Sequence, residues 1–302
     1  MSLSRREVAF FTGVLIVLGA GWGMTQPLTK IAVSTGYKHF GLIFWQLFIG
    51  AALMALICAL RGTKLPRGRR QVGICLMVAL VGTMIPNSTS YQAAVHLPSG
   101  ILSILLSMVP MWAFPIALMM GLDRFSWRRF IGLALGRFGV LLIAAPGASA
   151  LNLAVFWVLV GLISGICYGL EGNLVAKFGT AGMDAFQVLY GASLMGAVIM
   201  LPVAFGSGQW IPAAELLTYE GQALALASVI QVVVYAGYVW MVGRAGSVFA
   251  VQVSYLVTGF GVRWAKLILD EAYSTGIWAA LLLMFAGMYL VQPRPKAALA
   301  PA

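Results

Sequence analysis

Long apolar stretches alternate with short polar ones along the whole chain. Ten stretches rich in Leu, Ile, Val, Ala, Phe and Met run at about 8–28, 40–60, 72–91, 98–121, 128–146, 153–174, 184–206, 221–242, 247–269 and 273–291. About 20 apolar residues wound as a helix cross the ~30 Å hydrocarbon core of a bilayer, and each stretch is close to that length. The pattern predicts an all-α polytopic membrane protein of ten transmembrane helices. The connections between them are too short to hold a soluble domain.

Composition agrees: 61% of the 302 residues are hydrophobic and 9% are charged, with a mean hydropathy of +0.95. Soluble domains carry roughly a quarter charged residues. The net charge of +11 is distributed between spans rather than clustered on a solvated face, so no nucleic-acid partner is expected. With the N-terminus inside, 14 basic residues fall in inside segments: Arg5, Arg6, Arg61, Lys64, Arg67, Arg69, Arg70, Arg124, Arg128, Arg129, Lys177, Arg244, Arg294 and Lys296. Only Lys30 and Lys38 fall outside. That bias is the positive-inside signature, and it places both termini in the cytoplasm of a multi-pass protein of the bacterial inner membrane. The first span follows Arg5 and Arg6 as a signal peptide would, but its apolar run is long and more spans follow, so it reads as an uncleaved anchor.

A long repeat organises the chain. At an offset of about 148, Ser99 meets Ser247, Asp123 meets Glu271, Ser126 meets Ser274, Gly139 meets Gly287 and Leu142 meets Leu290. Near the same offset Gly19 and Gly23 meet Gly165 and Gly169, Gly36 meets Gly182, Phe40 meets Phe186, Gly50 meets Gly196 and Tyr91 meets Tyr238. The expected units are 1–150, 151–292 and a short, small-residue-rich tail, 293–302, read as disordered. Five spans per unit is an odd number, so the second unit enters the membrane from the opposite side. Inverted repeats of this kind underlie many secondary carriers, because two oppositely oriented halves can exchange inward-open and outward-open shapes.

With these residues in view, the chain resembles the drug/metabolite transporter superfamily, EamA-like type. The resemblance rests on Trp22-Gly23 with Lys30 in the first span, on Pro110 followed thirteen residues later by Asp123, and on the Gly132, Gly136, Gly139 run. The second half keeps Glu271 and Gly287 but departs at Thr258, where the matching residue is Pro110, and at Met284, where it is Gly136. Within the superfamily, the GWG-rich first helix and the abundant aromatic residues resemble the bacterial aromatic amino-acid exporter branch. The resemblance implies export of amino acids, aromatic ones included, and related small metabolites by alternating access. A multidrug or other-metabolite exporter of the same superfamily is the alternative, and a passive channel is a further one.

A carrier needs polar groups at mid-membrane depth, tolerated only where they face a cavity or a neighbour. The first span offers Trp22, Thr25 and Gln26 before Pro27, and the third offers Asn87, Ser88, Tyr91 and Gln92 after Pro86. Each proline either kinks its helix or also frees carbonyls for a substrate. The fourth span carries Ser103, Ser107 and Trp112 around Pro110, and the ninth carries Ser254, Tyr255 and Thr258. The sixth has Trp157, Ser164, Tyr168, Glu171 and Asn173, and the eighth has Gln231, Tyr235, Tyr238 and Trp240. The substrate-binding candidates are therefore Trp22, Gln26, Asn87, Tyr91, Ser107, Trp112, Tyr168, Glu171, Tyr235, Tyr238 and Tyr255.

Glu171 is the one carboxylate well inside a span. It either binds a substrate ammonium, carries a proton, or pairs with Lys177. Gly19, Gly23, Gly165 and Gly169 form small-xxx-small pairs that let helices approach closely; with Pro27, Pro86 and Pro110 they are the packing and hinge candidates. Arg263 and Lys266 read as snorkelling cations, Lys266 four residues from Asp270. Arg137 has no evident role, and His39 and His96 read as surface loop residues. Asp123 and Glu271 read as corner or capping residues.

The three cysteines, Cys58, Cys75 and Cys167, sit in apolar spans as small hydrophobes, and no metal or cofactor is expected. No H-E-x-x-H run or Ser/His constellation points to an enzyme, and no G-x-x-x-x-G-K-[ST] run to an ATP motor. The expected partners are a small-molecule substrate and the lipid bilayer, with a monomer sufficient.

Overall fold

The structure, a computed structural model, describes residues 5–36, 38–63, 65–144, 151–245, 250 and 252–291. The tail 293–302, Lys64, Ser247, Arg294 and Lys296 lie outside the described residues. The helices are α1 (Arg5–Ala32), α2 (His39–Leu60), α3 (Arg69–Ala79), a π-helical turn (Leu80–Met84), α4 (Ile85–His96), α5 (Ser99–Leu106), α6 (Val109–Met119), α7 (Trp127–Ala144), α8 (Leu151–Phe178), α9 (Ala185–Gly206), α10 (Tyr219–Ala245), α11 (Val253–Leu269) and α12 (Thr275–Val291). A short 3₁₀ turn, Ala213–Leu217, precedes α10. No strand occurs among the described residues.

The third rod joins α3, the π turn and α4, and the fourth joins α5 and α6. Ten helical rods result among the described residues. Seven of them are long and apolar enough to cross a membrane: Ala9–Ala32, His39–Leu60, Arg69–His96, Ser99–Met119, Val155–Phe178, Ala185–Gly206 and Tyr219–Val242. The other three are shorter or more charged. The 18-residue α7 carries Arg128, Arg129 and Arg137, the 17-residue α11 carries Arg263 and Lys266, and α12 has 17 residues.

Two spans depart from the sequence expectation in their interiors. The third is longer, 69–96, because its helix continues through Pro86 by widening into the π turn. The fourth is broken at Ser107 and Met108, and Pro110 sits in the first turn of α6. There its missing N–H costs nothing, so Pro110 starts a helix rather than kinking one.

The rods pack in a pattern that survives exchange of the two halves. α1 lies against α10 and α11, and α8 against α4, α5 and α6. α2 lies against α9, and α7 against α12. Both of the latter pairs are antiparallel. At the start of α2 the Phe40 N–H donates to Gln209 Oε1 (3.1 Å), just past the end of α9, while Arg61 beyond α2 pairs with Asp184, the N-cap of α9, at 3.1 Å. Along α7, Gly132 meets Gly287 and Val291, and Gly139 meets Ala280 and Met284.

Two close backbone crossings are also equivalent. A Cβ on Gly23 would lie 2.7 Å from the Gly261 amide nitrogen, and one on Gly169 would lie 2.9 Å from that of Ala113. Gly261 and Ala113 are repeat partners. Gly19 and Gly165 lean likewise on Leu256 and on the Trp112 indole. Glycine is required at Gly23 and Gly169 because backbone meets backbone there.

Ile43, Met54, Ile104, Leu105 and Met284 are fully buried between rods. The outer surface is apolar instead of polar: Met119, Leu60 and Leu282 are 87%, 80% and 69% exposed. Such a surface suits hydrocarbon. Arg137, Arg263 and Lys266 are exposed on it. His39 departs from its surface reading and is buried, its ring tilted against that of Phe40 with centroids 3.9 Å apart, whereas His96 is exposed and stacks on Trp157 at 4.0 Å.

Candidate functional site

A cavity of about 330 Å³ lies between the halves. From the first half it is walled by α1, α2, the third rod and α5, and from the second by α8, α9 and α10. Eight of the candidate residues line it: Trp22, Gln26, Asn87, Tyr91, Tyr168, Glu171, Tyr235 and Tyr238. Three do not. Ser107 is buried and donates to Ile104 O at 2.6 Å, the Trp112 indole packs on Gly165, and the Tyr255 ring packs 6.1 Å from that of Phe285.

Ser103, Ser164 and Thr258 likewise satisfy their hydroxyls on their own helices, at 3.1, 2.7 and 3.0 Å. A helical hydroxyl reaches the carbonyl three or four residues back without help, so its presence in a span is weak evidence of a ligand.

The centre of the site is a chain of amides and phenols. Gln46 Oε1 accepts from both Asn87 Nδ2 (2.7 Å) and the Tyr91 hydroxyl (2.8 Å). The Tyr168 hydroxyl donates to Asn87 Oδ1 at 3.1 Å, which ties the second half into the chain. On the opposite wall Trp22 Nε1 donates to Gln231 Oε1 at 2.7 Å, and the Trp22 and Tyr238 rings lie 5.5 Å apart. Both links join the two halves through the cavity. Gln26 Oε1 is buried with no hydrogen-bond partner, an acceptor left for a bound donor.

Glu171 sits on the same face of α8 as Tyr168. The pairing with Lys177 does not form: Lys177 is exposed, and the salt bridges among the described residues are Lys38 with Glu215, Arg61 with Asp184 and Arg129 with Asp123. Lys266 and Asp270 are not paired either. Pro27 and Pro86 are fully buried beside this cavity-lining backbone.

Gln46, Gly82 and Thr83 line the cavity but were not singled out from the sequence. Gln46 carried a signal, since it is the one amide side chain in the span 40–60. Gly82 carried a subtler one, being four residues before Pro86.

Two segments of the chain, 11–145 and 155–292, match the EamA-like transporter family. The chain belongs to that family. Its membership makes it a transporter rather than an enzyme, embedded in a membrane and acting on small molecules. Among relatives, a probable terminal-alkyne amino-acid exporter of Streptantibioticus cattleyicolor is 24% identical over 196 residues, 63% of this chain. The chain spans 62% of that relative's length. A transporter of Bacillus subtilis strain 168, YvbV, is 25% identical across 98% of this chain and 94% of its own. A solved crystal structure superposes with a TM-score of 0.63 at 16% identity, covering 95% of this chain and 96% of its own. That likeness concerns the fold alone. The cavity, by contrast, is a property of these particular side chains.

Proposed function

We propose that this chain is a secondary transporter that exports amino acids, aromatic ones included, and related small metabolites across the bacterial inner membrane. It works by alternating access, with ten crossings, both termini cytoplasmic, and the halves 1–150 and 151–292 inverted. The observation that carries this reading is the cavity between the halves. Its volume is in the range of small-ligand pockets, its walls come from both halves, and its lining alternates aromatic rings with uncharged amides. Rings of Trp22, Tyr91, Tyr168, Tyr235 and Tyr238 supply apolar faces for a side chain, while Gln26, Asn87 and Gln231 supply hydrogen bonds to a zwitterion.

The inversion is supported by the packing. Repeat-related α2 and α9 run antiparallel, as do α7 and α12, and α1 and α8 make equivalent glycine crossings. Two halves that trade places by a rocking motion need such interchangeable contacts. The substrate class is supported by the amino-acid exporter of Streptantibioticus cattleyicolor.

Counterflow in liposomes holding only the purified protein tests the reading. Labelled phenylalanine and leucine exchange saturably against internal unlabelled solute, and Tyr91→Ala abolishes the exchange. Folded protein that exchanges no amino acid overturns the substrate class in favour of the multidrug or other-metabolite reading. Non-saturating flux without counterflow overturns the carrier in favour of a channel.

A further inference from the structure

Glu171 is the carboxylate of the cavity, and it makes no hydrogen bond or ion pair with any described residue. A lone charge at this depth costs several kcal/mol, so the site is incomplete without a cation or a proton. The partner surface across from it is unusual backbone. A Cβ on Gly82, in the π turn, would lie 2.5 Å from Glu171 Cδ and 2.6 and 2.8 Å from its two oxygens. The carboxylate occupies the place of the missing side chain.

The same turn leaves carbonyls without donors. The Ile85 N–H bonds five residues back, to Leu80 O. Pro86 has no N–H, and beyond it α4 resumes ordinary i−4 bonding. The amide of Asn87 alone is left for the three carbonyls of Val81, Gly82 and Thr83. At least two of them therefore lack a helical donor, although a backbone acceptor away from water demands one.

Glu171, Gly82 and Thr83 line the same cavity, and a carboxylate and a backbone carbonyl are both acceptors only. The complementary group is a cation with several donors, and a primary ammonium offers three. We infer that Glu171 and the Gly82 turn form an ammonium subsite that takes the protonated amine of the transported solute. This rests on reading the cavity as the solute site, and it adds which end of the solute is held where. Gly82 is a specificity-determining residue because any side chain there expels the carboxylate. A bare monovalent metal cation shares the chemistry, and the test separates the two.

Liposomes holding the full-length protein are given phenylalanine, phenethylamine, which keeps the ammonium, or N-acetylphenylalanine, which loses it. Phenethylamine competes with labelled phenylalanine and protects the wild type against thermal unfolding, and N-acetylphenylalanine does neither. Glu171→Gln lowers exchange of the amines by about tenfold or more, the scale of one lost charge-assisted hydrogen bond, and Gly82→Ala acts in the same direction. If Glu171→Gln does not fold, Gly82→Ala and the protection of the wild type decide. Competition by N-acetylphenylalanine equal to that of phenethylamine overturns the subsite, as does undiminished amine exchange by both variants; amino-acid export then survives without it. Exchange of phenethylamine but not phenylalanine, lost in Glu171→Gln, upholds the subsite and overturns the amino-acid reading. Wild type that neither exchanges nor is protected by any of the amines overturns both. Loss of exchange when sodium is replaced by choline, with no preference for amines, assigns the site to the metal cation and overturns the ammonium.

Discussion

Lys30 and Glu271 grip the two sides of one corner with opposite charges. The Lys30 ammonium, in the last turn of α1, donates to Ala94 O, Val95 O and Leu97 O at 2.6, 3.1 and 3.1 Å, the open carbonyls at the end of α4. Glu271, between α11 and α12, accepts from Ser99 N and Gly100 N at 2.7 and 3.2 Å, the first amides of α5, and from Ser99 Oγ at 2.9 Å. Leu97 and Pro98 lie between. A helix ends in unpaired carbonyls and begins in unpaired amides, so a cation suits one side and an anion the other. Lys30 closes the corner from within the first half, and Glu271 ties the second half to it. Lys30→Met and Glu271→Ala each cost about 1–3 kcal/mol, because each strands buried backbone groups. Thermal unfolding of the single and double variants in detergent checks this, and the double variant loses less than the sum because the corner is shared.

Tyr273 makes the same corner sensitive to alkali. Its hydroxyl donates to Glu271, and burial together with that bond holds the phenol above its ordinary value of 10.0. The folded protein thus keeps a proton that the unfolded chain releases, and stability declines as pH rises past about 10. Tyr273→Phe is less stable by about 1 kcal/mol at neutral pH and has a shallower alkaline decline. Unfolding midpoints measured between about pH 8 and 11 separate the two slopes; parallel curves for wild type and variant sink the idea.

Glycines in one helix differ in what they tolerate. Gly23 faces the Gly261 amide and Val257 O at 2.7 and 2.9 Å from an added Cβ, whereas Gly13 has nothing within 4 Å. In α8 the same contrast holds between Gly169, 2.9 Å from the Ala113 amide, and Gly172, with nothing near. Gly23→Ala and Gly169→Ala destabilise by about 1–3 kcal/mol because backbone has to separate. Gly13→Ala and Gly172→Ala are neutral or gain up to about 1 kcal/mol from helix propensity. Four melting curves suffice, and equal effects at all four positions are incompatible with these crossings.

What the sequence made legible was whatever depends on period and charge. Apolar runs located the rods, and the glycine repeat pointed to the crossings that Gly23 and Gly169 make. It also pointed to the aromatic wall, since Trp22, Tyr91, Tyr168, Tyr235 and Tyr238 all line the cavity. Side-chain direction was less legible. Ser107 and Trp112 stand on the same rod as the cavity residue Leu106 but turn toward neighbouring helices, and Tyr255 stands on a rod that does not reach the cavity, which no spacing argument resolves without the crossing angles. The π turn was hidden as well, because it arises from how the third rod accommodates Pro86 and not from residue type alone.

Gln46 is the residue on which the polar chain of the cavity depends. Its Oε1 is the shared acceptor for Asn87 and Tyr91, and Asn87 in turn receives Tyr168 from the other half. Gln46→Leu keeps the volume close but strands two donors, at a cost of about 1–3 kcal/mol for each buried group left unsatisfied. Gln46→Glu keeps both acceptor bonds and adds a charge that the cavity does not neutralise. In counterflow the leucine variant shows a KM raised about tenfold or more at reduced stability, because Asn87 and Tyr91 are no longer held in place for the solute. Tyr91→Phe removes one donor and leaves the Gln46–Asn87 bond intact, so its KM changes less. A network acting as one unit gives the double variant Gln46→Leu/Tyr91→Phe no further loss beyond Gln46→Leu; full additivity of the two shows that Tyr91 meets the solute independently of Gln46.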